Sequence, residues 1–273
     1  MDGPRGTRYG SRVGRVVVFV LSLALAHSLF GVEPVSASCA PAVMLWAWER
    51  PEDLSAIDPA TTGVAFLART IRLRDDGFSV RSRLQPLTVP AGTHLVAVVR
   101  VEHAVRPGGG GSLPDPKAVA GAIAAVVRPR VAAVQVDFDA ARSEREFYRA
   151  LLVELRAVVP ASVGLQMTAL ASWVLGDRWV DGLPVDDVVP MLFRMGADDG
   201  VVRRHFANGG DFGSPLARAS LGLAIDEPRP AVPAGRRVYL FSPRPWSPTR
   251  AATALEEVRQ WQGSDAGRCS PVS

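Results

Sequence analysis

Two aspartates separated by one residue end an apolar run at residues 131–139, and they are the clearest candidates for chemistry. Side chains alternate between the two faces of a strand, so Asp137 and Asp139 share one face with Gln135. Crowded carboxyl groups push one pKa upward, which a general acid needs. Two carboxyl groups about 5 Å apart, or set more widely, cleave glycosidic bonds. The pair therefore predicts glycoside hydrolysis.

Further carboxylates end two other apolar runs and are candidate partners for this pair. Glu102 ends the run at residues 94–102, and Asp226 ends the run at residues 221–226. Arg100 shares a face with Glu102, which leaves open an arginine–carboxylate network that only holds the interior together. Asp226 with the following Glu227 also fits an ordinary polar turn. The predicted catalytic residues are Asp137, Asp139, Glu102 and Asp226.

Aromatic and charged side chains near the ends of these runs are candidates for substrate binding. Sugar rings stack on flat aromatic side chains whose indole N–H stays free to donate a hydrogen bond, although the same side chains can also fill a core. Arginines would complement an anionic substrate. The predicted binding residues are Trp46, Trp48, Glu49, Trp173, Arg194, Glu227, Arg244 and Trp246.

Other chemistries lack their sequence signatures. The chain has no G-x-S-x-G, H-E-x-x-H or C-x-x-C motif, no Walker loop and no dinucleotide-binding fingerprint. His94, His103 and His205 do not show metal-ligand spacing. We therefore expect no metal and no cofactor. The glycines at residues 108–111 lack the lysine of a phosphate-binding loop and favour a flexible lid over the site.

These residues need a scaffold that brings strand ends together, and the spacing of the apolar runs predicts one. Eight runs are typical of strands, at residues 43–48, 64–73, 94–102, 131–139, 163–170, 188–194, 221–226 and 238–242. Helical periodicity occupies residues 115–127, 143–159, 201–207 and 248–261. Ser143 is the expected N-cap of the second helix, with Glu146 completing a capping box.

Strands that alternate with helices imply a parallel sheet. We predict a single TIM-barrel-like (β/α)8 domain over residues 38–273, irregular in its first third because no strong helix separates the first three strands. An incomplete barrel or a doubly wound sheet is the alternative. In a (β/α)8 barrel the active site lies at the C-terminal ends of the strands, where the acidic and aromatic candidates are found.

Residues 1–37 are typical of a secretory signal peptide. Arginines precede a short apolar stretch at residues 16–26, and Val35-Ser36-Ala37 offers a cleavage site. The stretch is too short to span a bilayer, so we expect an exported protein with no transmembrane segment in its mature chain. Lipid attachment at Cys39 is less favoured, because Ser36 stands where lipoprotein signals usually carry leucine.

Charge and cysteines give two further expectations. Cleavage removes four arginines and two acids, which lowers the formal net charge from +4 to +2, so we predict no nucleic-acid partner. Cys39 and Cys269 are the two cysteines of the chain and stand at opposite ends of the mature protein. Export would place them in an oxidising compartment, where they can pair if the chain ends meet. Two unpaired thiols are the alternative.

Five motifs spread over the mature chain carry a family resemblance: Leu45-Trp46-Ala47-Trp48-Glu49-Arg50, Val134-Gln135-Val136-Asp137-Phe138-Asp139, Ala169-Leu170-Ala171-Ser172-Trp173, Val189-Pro190-Met191-Leu192-Phe193-Arg194 and Phe241-Ser242-Pro243-Arg244-Pro245-Trp246. Together they resemble a bacterial family of domains of unknown function, family 3142. The resemblance implies a barrel, distantly similar to glycoside-hydrolase barrels. The fuller Asp-x-x-Asp-x-Asp-x-Glu pattern of chitinase-like barrels is absent, since no glutamate follows Asp139 at the required distance.

The sequence thus favours an exported glycoside-hydrolase-like barrel that acts on an envelope or extracellular glycan. A hypothesis from another class is a non-catalytic barrel that binds a glycan or an envelope protein through a tryptophan-rich mouth. The two hypotheses differ in whether Asp137 and Asp139 are needed for turnover.

Overall fold

The computed structural model of the chain describes residues 40–74, 77–103 and 112–262, together with Met1 and Gly3. The predicted signal peptide, Cys39, Cys269 and the glycines at residues 108–111 lie outside these described residues. Export, lipid attachment, the disulfide and the flexible lid therefore stay predictions.

Eight parallel strands close into a barrel, which confirms the predicted fold class. The described residues form eleven strands in all: β1 (Val43–Ala47), β2 (Glu52–Asp53), β3 (Thr62–Arg74), β4 (Gly77–Ser82), β5 (Leu87–Thr88), β6 (Leu95–His103), β7 (Val131–Phe138), β8 (Gly164–Leu170), β9 (Asp187–Met191), β10 (Ser220–Ala224) and β11 (Arg237–Phe241). Around the barrel the order is β1, β3, β6, β7, β8, β9, β10 and β11, and β11 pairs with β1 to close the ring.

The first third of the barrel is irregular, as predicted. In the described residues no helix connects β1 to β3 or β3 to β6. β4 instead folds back antiparallel on β3, and β2 pairs with β5 in a small separate sheet. Where a regular barrel would carry its first helix, a cavity of about 580 Å³ opens between the segment after β2 and the last helix, lined by Leu54, Ile57, Ala251 and Leu255 among others.

Helices cover the rest of the barrel. They are α1 (Pro116–Ala124), α2 (Arg145–Val158), α3 (Ala171–Leu175), α4 (Asp199–Ala207) and α5 (Pro248–Gln262). Asp115 caps α1 by accepting a hydrogen bond from the backbone N–H of Lys117 at 3.0 Å, and Pro116 suits the first helical position. Buried side chains on one face of α2 pack on the barrel, which explains its amphipathic sequence.

The predicted N-cap of α2 is wrong. Ser143 lies inside a short 3-10 turn, Arg142–Glu144, and the α-helix begins only at Arg145. Glu144 takes over the task of a capping side chain, because its carboxylate accepts a hydrogen bond from the backbone N–H of Ala141 at 2.6 Å. Its other oxygen contacts Nδ1 of His103 at the end of β6. The turn that follows Asp139 is therefore tied to the neighbouring strand.

Alternation along the strands separates two cores. Outward residues such as Val134, Val136 and Phe138 of β7 pack under the helices in one large cluster. Inward residues form a second cluster inside the barrel: Met44, Trp46, Ala65, Leu67, Val96, Val98, Ala133, Val189, Tyr239 and Phe241. Gln135 and Asp137 alternate with the outward set, as predicted, and are buried.

The N-terminal end of the barrel, which we call the base, contains a buried ion pair. Ser220 Oγ donates a hydrogen bond to Asp187 Oδ2 at 2.6 Å, and Arg237 Nη1 lies 3.4 Å from the same oxygen. Burial raises the pKa of Asp187, and the Ser220 and Arg237 contacts oppose that rise. These three residues join β9, β10 and β11 at the base.

The first and last segments of the described domain meet at this base. Arg237 Nε donates a hydrogen bond to the carbonyl oxygen of Pro41 at 3.1 Å. Gln262 Nε2, at the end of α5, donates one to the carbonyl oxygen of Arg236 at 3.0 Å. The two ends therefore contact successive residues of the chain.

Candidate active site

β7 positions the central acid at the C-terminal end of the barrel, which we call the mouth. Asp137 is the last inward-facing residue of the strand and is only 7% exposed. Thr168, on the adjacent β8, donates a hydrogen bond from Oγ1 to Asp137 Oδ1 at 2.8 Å. One layer deeper, Gln135 Nε2 donates to Gln166 Oε1 at 3.2 Å, and the Tyr239 hydroxyl donates to the same oxygen at 2.9 Å. A layer of hydrogen-bonded polar side chains, Gln135, Gln166 and Tyr239, therefore lies beneath Asp137 in the barrel interior.

The environment of Asp137 favours its protonated form. Burial and the nearby Asp139 carboxylate raise its pKa to about 6, and Glu102 adds a smaller push in the same direction. Arg100 and the Thr168 hydrogen bond act against this rise. A carboxylic acid with a pKa near 6 holds its proton in mildly acidic solution and can donate it to a leaving group.

Asp139 follows the end of β7 and is exposed at the mouth. Partial removal of water by the surrounding protein raises its pKa, and Arg100 opposes that effect. Two residues along a strand span about 6.6 Å, so Asp137 and Asp139 stand on one side of the mouth at different depths. The buried acid and the exposed carboxylate can thus carry different protonation states at one pH.

β6 brings an arginine and a glutamate beside the two aspartates. Arg100 is paired with Asp137 in the strand register, and its Nε lies 3.0 Å from Glu102 Oε1. Glu102 Oε2 is also bound, by Arg72 Nε of β3 at 3.0 Å. Glu102 therefore lies next to the acids as predicted, and both its oxygens belong to the arginine–carboxylate network that the sequence left open.

A pocket of about 270 Å³ opens in the mouth next to this acidic cluster. Three aromatic rings line it, Trp48 just after β1, Phe193 after β9 and Phe241 from β11. The centroids of the Phe193 and Phe241 rings are 4.5 Å apart, and those of Trp48 and Phe241 are 6.1 Å apart. The guanidinium carbon of Arg100 lies 5.9 Å from the centroid of the Trp48 ring, so Trp48 connects the pocket to the acids.

Small residues of β10 make room for this pocket. Ala224 lines it directly. A side chain at Gly222 would approach within 3.3 Å of the Phe241 ring and 3.4 Å of the Met191 backbone. Glycine at position 222 therefore lets the Phe241 ring pack at the mouth.

The predicted partner acid Asp226 lines the pocket and is exposed. It follows β10, three strands around the ring from β7, and so belongs to the pocket and not to the cluster of Asp137, Asp139 and Glu102. The next residue, Glu227, accepts hydrogen bonds from the backbone N–H of Arg194 at 3.1 and 3.2 Å. Arg194 itself lines the pocket and is exposed.

Three of the four predicted binding tryptophans are packed in the interior. Trp46 is fully buried and stacks on Phe241 at 4.4 Å. Trp246 is buried and donates from Nε1 to the carbonyl oxygen of Trp46 at 2.8 Å. Trp173 is buried in the helical layer against Trp179, 5.3 Å between centroids. These contacts account for the three rings by packing, whereas Trp48 is half-buried and reaches the pocket.

The two remaining binding candidates lie outside the pocket lining. Glu49 forms an ion pair with Arg81 Nη2 at 2.7 Å, which links β1 to the edge strand β4. Arg244 is exposed, and its carbonyl oxygen accepts hydrogen bonds from Arg50 and from the Ser242 hydroxyl, each at 2.6 Å.

Sequence reasoning missed part of the aromatic wall. Phe241 was not singled out, although Tyr239 and Phe241 alternate with outward Val238 and Leu240 and the period could have shown it. Phe193 follows the end of β9 but keeps the parity of inward-facing Val189 within the predicted run at residues 188–194, so the same period could have shown it.

Neither a metal centre nor a membrane-crossing helix is found in the described part of the chain. No group of three or more His, Cys, Asp or Glu side chains there is placed to hold a metal ion. No helix in residues 40–74, 77–103 or 112–262 has both the length and the apolar composition needed to cross a bilayer.

No family model and no curated protein matches the chain. Among solved structures, the chain is similar to the crystal structure of the Bacillus cereus spore cortex-lytic enzyme SleL, with 16% sequence identity and a TM-score of 0.38. The match covers 68% of this chain and 52% of that one, so the chain spans about half the length of that structure. A likeness at this level says nothing about activity, which has to follow from the site's own geometry.

Proposed function

We propose that the chain is a glycoside-hydrolase-like barrel that acts on an envelope or extracellular glycan, with Asp137 as the general acid and Asp139 as the second carboxylate. The observation that supports it best is the crowding of the two acids at the mouth, where burial and Asp139 raise the pKa of Asp137 to about 6. Enzymes with a (β/α)8 barrel have their active sites at the C-terminal ends of the strands.

Each residue has a defined step in this scheme. Asp137 gives its proton to the glycosidic oxygen as the bond from that oxygen to the anomeric carbon breaks, and the electron pair stays with the oxygen. Ionised Asp139 either attacks the anomeric carbon or takes a proton from the water that attacks it. Water supplies the new hydroxyl group. Arg100 favours the ionised form of both acids and so opposes the rise in the pKa of Asp139.

The test is hydrolysis of a broad glycan panel by the mature protein beside two variants, Asp137→Asn and Asp139→Asn. Loss of a positioned general acid lowers turnover by about 10²–10⁴-fold. The matched control is Glu257→Gln, a carboxylate-to-amide change on an exposed position of α5. Circular dichroism establishes that every variant is folded. Full turnover in Asp137→Asn would contradict the assignment.

The product's configuration then assigns the role of Asp139. Retention at the anomeric carbon indicates a nucleophile, and inversion indicates a base that activates water. Turnover by the parent is also expected to fall above pH 6, because Asp137 must be protonated to act.

A non-catalytic glycan-binding barrel is the second candidate. The observation that favours it is the position of the pocket, whose lining includes Trp48, Phe193 and Phe241 but neither Asp137 nor Asp139. This candidate predicts binding without turnover on any glycan, and equal affinity in Asp137→Asn and in the parent.

A further inference from the structure

We infer that the pocket at the mouth selects a sugar that bears a carboxylate, and that Arg194 recognises this carboxylate. The inference deepens the proposed function, since it names the substrate class of the same site. It rests on the charges around the pocket, on the backbone conformation of Arg194 and on the hydrogen bonds that the neighbouring Arg50 makes within the protein.

The pocket combines aromatic rings with side chains of opposite charge. Trp48, Phe193 and Phe241 offer faces on which a sugar ring can stack, while Arg194 and Asp226 supply one positive and one negative group among the lining residues. A guanidinium binds a carboxylate through two parallel hydrogen bonds, and a carboxylate repels one. A sugar acid would therefore bind with its carboxylate toward Arg194 and its hydroxyl groups toward Asp226.

The other arginine of the pocket is already occupied by the protein. Arg50 Nε binds Glu52 at 2.7 Å, and its Nη atoms donate to the carbonyl oxygens of Ser242, Pro243 and Arg244 at 2.6–3.1 Å. No described residue makes a hydrogen bond or an ion pair with the guanidinium of Arg194. Among the described contacts, the guanidinium N–H groups of Arg50 are used by the protein, whereas those of Arg194 are available to a ligand.

The backbone of Arg194 is held in a conformation that favours glycine. Its φ is 51°, the one positive value among non-glycine residues of the described chain. Both carboxylate oxygens of Glu227 accept from its backbone N–H, which stabilises this geometry. Backbone conformations that are costly for the residue that adopts them cluster at functional sites, and the side chain of Arg194 lines the pocket.

The inference is tested by calorimetric binding of matched sugar pairs. The probes are an oligosaccharide that contains glucuronic acid and one that contains N-acetylmuramic acid, each beside its carboxyl-reduced form. The protein is the mature chain with Asp137→Asn, which stops turnover during the measurement if the hydrolase proposal holds. We expect at least one acid form to bind about 10–100-fold more tightly than its reduced form, as a charge-assisted contact provides.

Three substitutions separate charge from backbone effects. Arg194→Gly keeps the backbone conformation and removes the guanidinium, so we expect the preference for the acid to disappear while affinity for the reduced form is kept. Arg194→Lys is expected to retain only part of the preference. The control is Arg204→Gln, on an exposed position of α4 outside the pocket, with binding unchanged.

The outcomes for the inference and for the proposed function are distinct. Equal binding of acid and reduced forms, or an acid preference that survives Arg194→Gly, overturns the inference whether or not the protein hydrolyses glycans. An acid preference that Arg194→Gly abolishes, in a protein that cleaves no glycan, supports the inference and removes the hydrolase proposal.

Discussion

Asp137 at the mouth and Asp187 at the base are buried aspartates of one barrel, and the neighbouring charges that act most strongly on the two have opposite signs. Burial raises the pKa of both residues. At the base, the Ser220 hydroxyl and the Arg237 guanidinium oppose the rise. At the mouth, the influence next in size after burial is a second carboxylate, Asp139, which raises the pKa of Asp137 further.

This difference is the one expected between an acid that only links strands and the general acid that we propose. A buried carboxylate that only links strands is stabilised by an opposite charge and by hydrogen bonds, as Asp187 is. A like charge beside a buried acid disfavours the ionised form and lowers the stability of the fold, and such arrangements cluster at functional sites. The base therefore compensates its buried carboxylate with an opposite charge, whereas the mouth raises the pKa of Asp137 to about 6, so that this acid keeps its proton in mildly acidic solution.

The largest expected effect on stability is at the base, where the first and last segments of the described domain meet. Pro41 and Gln262 contact the successive residues Arg237 and Arg236, and seven further residues lead from Gln262 to Cys269, enough to extend about 24 Å. We predict that Cys39 and Cys269 pair when a disulfide oxidant such as oxidised glutathione takes up their two electrons and two protons. Closing so long a loop stabilises by up to about 5 kcal/mol in the chain-entropy model.

Denaturant unfolding of the oxidised protein with and without reductant measures this effect. Cys269→Ser is expected to unfold like the reduced parent under both conditions. Alkylation that finds two free thiols in the oxidised protein would contradict the pairing.

The next effect comes from breaking the ion pair at the base. Arg237→Met leaves Asp187 buried without its positive partner, which costs about 3 kcal/mol of unfolding free energy. Adding Asp187→Asn to Arg237→Met should recover part of the loss, because the uncompensated charge is then gone. Denaturant titrations of the two single variants and the double variant test this cycle, and glycan binding at the mouth is expected to stay unchanged.

His94 reports on the same substitution independently. Burial and the charge of Arg237 lower the pKa of this histidine to about 4. Arg237→Met removes the repulsion, so an NMR titration should show the pKa of His94 rising. An unchanged pKa of His94 would mean that Arg237 does not act at the base as described.

At the mouth, the sign of the pH dependence identifies Asp137. Its pKa is about 6 in the fold against 3.8 for the ordinary group, so ionisation is harder in the folded state than in the unfolded state. The unfolding free energy therefore falls as pH rises through that interval, by about 3 kcal/mol for this residue. Asp137→Asn removes this contribution, and the variant should be more stable than the parent at pH 7 but not at pH 3.5.

Unfolding titrations of the parent and Asp137→Asn at several pH values measure the difference. If the two free energies run parallel from pH 3.5 to pH 7, Asp137 does not carry the raised pKa.

The barrel could be predicted from the sequence because each of its eight strands is a buried apolar run. In β7, Val134, Val136 and Phe138 point outward and Asp137 points inward. This alternation is visible in the local sequence without knowledge of the neighbouring strands. α3 was missed because five residues carry too little periodicity, and β4 because it offers only two alternating apolar side chains, Phe78 and Val80. Both elements depend on neighbours that the local sequence does not specify.

The site was harder to predict, because depth and position around the ring are tertiary properties. Trp46 of β1 and Trp48 just past its end have the same parity, yet the first is buried inside the barrel and the second reaches the pocket. Likewise Asp226 and Asp137 both come at or just past a strand end, but two strands, β8 and β9, lie between β10 and β7. The sequence lists residues at strand ends and does not say which of them share a pocket.

The smallest effect sharpens the contrast between mouth and base through two matched hydroxyl groups. Thr168 donates to Asp137 and lowers its pKa, so Thr168→Val should raise that pKa above about 6 and cost about 1 kcal/mol of unfolding free energy. If Asp137 is the general acid, the alkaline limb of the pH–rate profile moves to higher pH, and Thr168→Ser restores it. Ser220 makes the equivalent contact with Asp187, and Ser220→Ala should cost a similar amount of stability with no shift of the profile. The alkaline limb should follow only the carboxyl group that transfers the proton. A shift of this limb in both variants, or in neither, would therefore contradict the assignment of Asp137 to catalysis and of Asp187 to stability.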